Sequence, residues 1–114
     1  MLNGPMTIAE VESRIVNYCE ALDEETEAFA RLSAERAEAE ADFKYAYSRA
    51  FMEQAGKIPV AQKEATAQMI AGQEFRAYRL LEARERATQS KLTSLRAQLD
   101  ALRTIAANVR YQTR

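Results

Sequence analysis

The chain has 114 residues, with 17 acidic and 16 basic residues, one cysteine and no histidine. It lacks the uncharged apolar run of about 20 residues that a membrane-spanning helix needs, and residues 1–6 lack the basic stretch and apolar core of a secretory signal. We therefore expect one cytoplasmic domain, which starts at Met1 or Met6. Without histidine the usual zinc sites cannot form, so we expect no metal and no cofactor, and we expect Cys19 to be a half-buried apolar residue.

The first predicted element is a long helix that follows a flexible segment of residues 1–7. Thr7 and Glu10 have the spacing of a capping box, in which the Thr7 hydroxyl accepts a hydrogen bond from the Glu10 amide. From residue 8 to residue 55 there is no Gly or Pro, and strong helix formers dominate. The sequence therefore predicts a helix over residues 8–55.

Two rows of residues recur every seven positions along this helix, and we call them the core rows. One row is Ile8, Ile15, Leu22, Phe29, Arg36, Phe43 and Ala50, and the other is Val11, Tyr18, Glu25, Leu32, Ala39 and Ala46. A heptad repeat keeps such rows facing a partner helix only if the two helices supercoil. The first helix is therefore predicted to pair with another helix.

A reversal of the chain is predicted at residues 56–59. Gly56 suits a left-handed position past the helix end, and Pro59 suits the first turn of the next helix. The second helix is predicted over residues 60–110, kinked or continuous at Gly72, with residues 60–71 as a separate short helix being the alternative. Residues 111–114 are expected to fray.

The second helix carries its own core row, which ends in Leu92, Leu95, Leu99, Leu102, Ala106 and Val109 and extends upstream through Tyr78 and Leu81. Since a short connection forces neighbouring helices to run antiparallel, the predicted fold is all-α, a long antiparallel coiled-coil hairpin. Some apolar residues stay outside the rows: Val16, Phe51, Met52, Phe75, Leu80 and Ile105. Because monomers rarely expose large apolar patches, we expect a homodimer that forms a four-helix bundle.

Charge is distributed unevenly between the two halves. Residues 1–56 contain twelve acidic and five basic residues, whereas residues 57–114 contain five acidic and eleven basic residues. An acidic helix lying along a basic one would neutralise both. The alternative is that the basic half faces nucleic acid or an acidic protein, and we favour the first interpretation.

Two charged residues interrupt the core rows near the middle of the predicted hairpin, Arg36 on the first helix and Glu85 on the second. One interpretation is that they form a pair that fixes the register of the helices, as polar core residues do in coiled coils. Alternatively, drift of the heptad turns both residues to the surface. The sequence favours neither reading.

Aromatic and basic residues occur together near the predicted reversal, which makes this region the candidate site for single-stranded DNA or a protein partner. Nucleic-acid bases stack on exposed rings while Lys and Arg hold the phosphates. Packing within a dimer is the alternative and the favoured one, because aromatics at helical spacing usually belong to a core. The candidate residues are Lys44, Tyr45, Tyr47, Arg49, Phe51, Phe75, Arg76 and Arg79.

Three arginines at positions 96, 103 and 110 repeat every seven residues, on one edge of the second helix. We expect salt bridges to Glu12, Glu20 and their neighbours, with a basic row for phosphates as the alternative.

The densest acidic run, residues 35–42, is expected to be a solvated face and not a magnesium site. With no constellation of catalytic residues, the chain is expected not to be an enzyme.

Two segments carry a resemblance to a known group of proteins. Residues 50–59 read A-F-M-E-Q-A-G-K-I-P, and residues 95–105 read L-R-A-Q-L-D-A-L-R-T-I. Together they resemble small helical proteins of tailed phages, whose genes lie beside those of recombinases and single-strand-binding proteins. The resemblance implies an accessory role in phage DNA recombination or replication, inside the bacterial host.

The leading hypothesis is therefore a non-enzymatic phage protein that binds a recombinase, another protein or single-stranded DNA. A second hypothesis is an inhibitor that binds a host nuclease or defence complex. A third is a coiled-coil spacer in a larger assembly.

Overall fold

A computed structural model describes residues 6–112 of the chain. Within this range it contains three α-helices and no strand, namely α1 (Ile8–Met52), α2 (Val60–Ile70) and α3 (Gly72–Gln112). The prediction of an all-α fold is confirmed. Residues 1–5 of the predicted flexible segment lie outside the described residues.

The chain forms two compact units. The terminal unit combines residues 6–28 with residues 88–112, and the loop unit comprises residues 29–87. Within the terminal unit, Glu12 contacts Arg110 and Glu25 contacts Lys91. Because contacts join early residues to late ones in reverse order, the paired segments run antiparallel.

The loop unit has the same antiparallel order between the end of α1 and the start of α3. Arg36 contacts Glu85, and Phe43 stacks on Tyr78. Helical-hairpin pairing therefore occurs within each unit.

The core of the terminal unit is built from the predicted core rows. Val11, Leu102 and Ala106 form a buried cluster, and partly buried Ile15 and Tyr18 pack against it. Leu92 and Leu99 are buried as well, and Cys19 is half-buried. At α1 the Glu10 amide donates to the Thr7 hydroxyl over 3.2 Å, which is the predicted cap.

Small residues make up the buried core of the loop unit. Ala39 and Ala50 of α1 are buried, as are Ala67 of α2 and Ala71 between α2 and α3. Side-chain size at the contact sets the distance between packed helices, so alanines let backbones approach closely. The burial of Ala67 and Ala71 was not predicted.

The first helix ends at Met52, three residues before the predicted end at Ala55. The side-chain Nε2 of Gln54 donates to the Ala50 carbonyl over 3.3 Å and to the Lys63 carbonyl over 2.9 Å. These bonds satisfy a carbonyl at the helix end that would otherwise lack a partner. The connection therefore spans residues 53–59 and not 56–59, and Gly56 has a φ of 92° within it.

The predicted second helix is interrupted at Ala71, one residue before the expected weak point at Gly72. Ala71 has φ −87° and ψ 18°, outside the helical region, so the structure has a short helix, α2, before α3, close to the alternative of a separate helix over residues 60–71. Hydrogen bonds continue across the break, from the Ala71 amide to the Ala67 carbonyl and from the Phe75 amide to the Ala71 carbonyl. Helix α3 continues to Gln112, two residues beyond the predicted end at residue 110, and residues 113–114 lie outside the described range.

The same substitution at two glycines is expected to change stability in opposite directions. At Gly72 an added Cβ meets nothing within 4 Å, so Gly72→Ala should stabilise the fold by about 0.5–1 kcal/mol by restricting the unfolded chain. At Gly56 the space is also open, but φ is +92°, so Gly56→Ala should destabilise by about 1–2 kcal/mol. Urea unfolding of both variants tests this, and two changes of the same sign would contradict it.

Candidate interaction surface

An aromatic cluster joins the end of α1 to the start of α3 in the loop unit. The ring of Phe43 lies 5.0 Å from Phe75, 6.0 Å from Tyr47 and 6.1 Å from Tyr78, measured between centroids. The rings of Phe43 and Tyr78 are nearly parallel, at 10°. Tyr47 also lies 6.5 Å from Phe51.

The sequence produces this cluster by helical spacing. Phe43, Tyr47 and Phe51 are four residues apart and share one face of α1, and Phe75 and Tyr78 share a face of α3 by the three-residue spacing. Burial of Tyr78 and its hydrogen bond to Glu82 raise the pKa of its phenol. All five rings are half-buried, so packing within the cluster covers part of each ring and leaves the rest accessible to solvent.

Basic side chains surround the aromatic cluster, and carboxylates of the same helix contact several of them. The Lys63 ammonium and the Arg79 guanidinium lie 5.8 Å from the ring centroids of Phe51 and Phe75 respectively. Lys44 is 3.1 Å from Glu40, Arg49 is 2.7 Å from Glu53, and Arg79 is 3.4 Å from Glu82. The hydrogen bond that Arg49 donates to Glu53 is also the main cause that raises the pKa of Arg49.

Two adjoining cavities open beside the aromatic cluster, and together we call them the aromatic groove. Their volumes are about 280 and 330 Å³, and both are lined by Tyr47 and Ser48. The remaining lining residues are Phe43, Lys44 and Gln68 in the first cavity, and Phe51, Met52 and Glu64 in the second. A third cavity of about 340 Å³ is lined by Tyr45, Ala46, Arg49, Ala50, Glu53, Ile70 and Glu74.

The structure divides the eight candidate residues among these places. Lys44, Tyr47 and Phe51 line the aromatic groove. Tyr45 and Arg49 line the third cavity, and the others, Phe75, Arg76 and Arg79, lie on α3. Three of the eight therefore share the groove, and Phe75 adjoins it through its contact with Phe43.

The sequence-based prediction missed Ser48, Met52, Glu64 and Gln68 as lining residues. Ser48 and Met52 follow Lys44 at four-residue spacing, which is a signal that was present in the sequence. Glu64 and Gln68 had no signal, because their position depends on how α2 packs against α1.

Arg36 and Glu85 lie in contact in the loop unit, near the ends of its residue range. The Arg36 Nε is 3.1 Å from Glu85 Oε1, and its Nη1 is 2.8 Å from Glu40 Oε1. A hydrogen bond with Ser33, followed by the one with Arg36, lowers the pKa of Glu85. Lys44 and Arg36 likewise lower the pKa of Glu40, and the Glu85 hydrogen bond raises that of Arg36.

The lowered pKa of Glu85 predicts a specific dependence of stability on pH. A carboxyl whose folded-state pKa lies below its unfolded value of about 4.3 stabilises the fold above that value and loses this effect as the pH falls through the folded pKa. Glu85→Gln should therefore be less stable than wild type at pH 7, and the difference should shrink below about pH 4. Thermal unfolding across this pH range measures it.

Glu20→Gln is the matched control, since Glu20 is exposed and its side chain has no ion-pair partner among residues 6–112. Its difference from wild type at pH 7 should be small. A pH-independent difference for Glu85→Gln would contradict the role given to its ionised form.

The arginine row of α3 is only partly paired as predicted. Arg110 lies 3.3 Å from Glu12, across the terminal unit, as expected. Arg103 instead contacts Asp100 on its own helix at 3.6 Å. Lys91 contacts Glu25 at 2.7 Å, a pair that was not predicted.

Several of the apolar residues outside the core rows are exposed. Val16 and Leu80 are each 55% exposed, Met52 is 82% exposed and Ile105 is 39% exposed, whereas Phe51 and Phe75 are half-buried in the aromatic cluster. Val60, Met69 and Ile70 add to the exposed apolar side chains of the loop unit.

The described residues contain no group of three or more side chains suited to hold a metal ion. None of the described helices carries an apolar stretch long enough to cross a membrane. No protein-family model, curated protein or solved structure matches the chain.

Proposed function

We propose that this protein is a non-enzymatic binding protein, which docks an apolar segment of another protein in the aromatic groove. Its proposed setting is phage DNA recombination or replication in the bacterial cytoplasm, and that setting is supported by the resemblance of residues 50–59 and 95–105. The binding mode is supported by the surface of the loop unit.

The observation that carries the proposal is the concentration of apolar surface beside the groove. Met52, which lines the groove, is 82% exposed, and Val60, one helical turn before the lining residue Glu64, is 62% exposed. Exposed apolar patches of this kind mark protein interaction sites, and Met adapts well to the shape of a partner side chain. The half-exposed rings of Tyr47 and Phe51 supply the aromatic contacts that interface cores favour.

The charges beside the groove favour a protein over a polyanion. Lys44 and Arg79 are each within 3.4 Å of a carboxylate on the same helix, and Glu64 lines the groove itself. A phosphate backbone would have to displace these carboxylates or lie beside them. The basic side chains therefore attract a phosphate backbone less strongly than their number suggests.

Site-specific photocrosslinking in the host tests the proposal. A photoreactive residue in place of Ser48, inside the groove, should give one dominant protein adduct, and the same residue in place of Gln98 on α3 should not. Adding Tyr47→Ala should abolish the adduct, because it removes the wall shared by both cavities. An adduct unaffected by Tyr47→Ala would overturn the groove as the binding site.

A second candidate function is the binding of single-stranded DNA, and the placement of Lys63 over Phe51 and of Arg79 over Phe75 favours it. Stacking on each ring would contribute about 1–3 kcal/mol per base. Titration with a labelled oligothymidine at low and high salt separates the two functions. If binding weakens with salt and is lost in Lys44→Ala/Arg79→Ala, the partner in the groove is single-stranded DNA and not a protein.

The dimer expected from the sequence remains part of the proposal, with two hairpins forming a four-helix bundle. It is supported by exposed apolar side chains away from the aromatic groove, such as Leu80. The mass of the protein in solution tests it.

A further inference from the structure

The loop unit has a row of acidic side chains on α1 that makes no ion pair. Glu35, Glu38 and Asp42 are exposed and follow one another by three and four residues, so they share a side of the helix. Within residues 6–112, none of the three has a hydrogen-bonded or ionic partner. Exposed Ala34, Ala37 and Ala41 lie beside them, and we call these six residues the acidic face.

A basic counterpart lies on α3 of the same unit. Arg76, Leu80 and Arg84 are exposed and repeat every four residues. Both arginines lack an ion-pair partner among the described residues, and the Leu80 side chain is 55% exposed. With the neighbouring exposed Ala77, Ala83 and Ala87, they form what we call the basic face.

The two faces lie at the same level along the helices. Arg36 is level with Glu85 and Phe43 with Tyr78, as their contacts require. Counting along antiparallel helices from these pairs places Ala41 level with Leu80 and Glu38 level with Ala83, one residue from Arg84. A large side chain is therefore level with a small one, and opposite charges lie within one residue, or about 1.5 Å, of the same height.

We infer that the acidic face of one copy docks antiparallel against the basic face of a second copy, and that this contact occurs twice in a two-fold dimer. The inference rests on the dimer in the proposed function and names its surface. A two-fold axis parallel to the helices puts α1 of each copy beside α3 of the other without a shift in height. Leu80 then packs over the alanines of the acidic face, and Glu38 of one copy lies near Arg84 of the other at each of the two contacts.

Charge reversal tests this surface by sedimentation of the full chain at about 0.1 M salt, where charges more than about 10 Å apart are screened. Wild type should sediment as a dimer. Glu38→Arg and Arg84→Glu should each raise the dimer dissociation constant about 10- to 100-fold, because each puts like charges together at both contacts. Glu10→Arg, the same charge change at an exposed residue of the terminal unit, is the control and should dimerise like wild type.

Mixing the two charge-reversal variants provides the decisive measurement. In an equimolar mixture, one contact pairs Arg at 38 with Glu at 84 and the other keeps the native pair, so heterodimers should form with close to wild-type affinity. Circular dichroism of each variant should match wild type, since the substituted side chains are exposed.

The outcomes separate this inference from the dimer itself. A monomeric wild type would overturn both. A dimeric wild type whose dissociation constant is unchanged by either charge reversal, or a mixture that does not restore association, would overturn the docking of these two faces while the dimer stands.

Discussion

Leu102→Ala is expected to destabilise the fold by about 2–4 kcal/mol. Leu102 is 7% exposed and belongs to the buried cluster with Val11 and Ala106. The substitution removes apolar contacts and leaves a cavity that the neighbouring helix turns cannot fill without moving. Urea unfolding followed by circular dichroism, at one fixed protein concentration because association adds to stability, measures the loss.

Ile105→Ala is the matched control for Leu102→Ala. Ile105 lies three residues further along α3 but is 39% exposed, so truncation removes less buried surface and gains helix propensity. Its expected effect is below about 1 kcal/mol. Equal losses for the two variants would mean that the cluster around Val11 is not the core of the terminal unit.

The core of the terminal unit could be predicted because in a helical hairpin burial follows sequence spacing. Val11, Leu92, Leu99 and Leu102 all lie in the core rows, and all are buried. Residues seven apart face the same side of a supercoiled helix whatever the partner is. Long helices without Gly or Pro also made α1 recognisable from residue 8 onwards.

Features that depend on contacts distant in sequence could not be predicted. The end of α1 at Met52 is accompanied by hydrogen bonds from Gln54 to Ala50 and to Lys63, and the second of these partners belongs to α2. The interruption at Ala71 falls on a strong helix former whose side chain is fully buried. Helix propensity alone predicts that the helix breaks at Gly72. Tertiary packing at the buried Ala71 overrides this local preference.

The candidate site was predicted in its composition and only partly in its arrangement. Helical spacing assembles Phe43, Tyr47 and Phe51, yet it does not reveal which rings become walls of a groove. The pairing of Lys44 with Glu40 and Arg49 with Glu53 follows the four-residue spacing that stabilises helices. The interpretation in which these basic residues hold phosphates did not consider their carboxylate partners, which the same sequence contains.

Phe43→Ala is expected to destabilise the fold by about 2–3 kcal/mol, less than a fully buried Phe because its ring is half-buried. Phe43 is the ring on which Tyr47, Phe75 and Tyr78 converge, and each aromatic pair adds about 0.5–1.5 kcal/mol to the area buried. Its removal separates α1 from α3 in the loop unit.

Tyr45→Ala is the matched control, two residues away on α1 with a side chain that is 68% exposed, and its effect should stay below about 1 kcal/mol. Hydrogen exchange tells where stability is lost: Phe43→Ala should increase exchange first at amides of residues 40–51 and 72–82, because regions open as local cooperative units. If the loss instead appears around Leu99 and Leu102, the aromatic cluster is not what holds the loop unit together. The aromatic groove depends on the same ring, so a photoreactive residue at Ser48 should lose its adduct in Phe43→Ala.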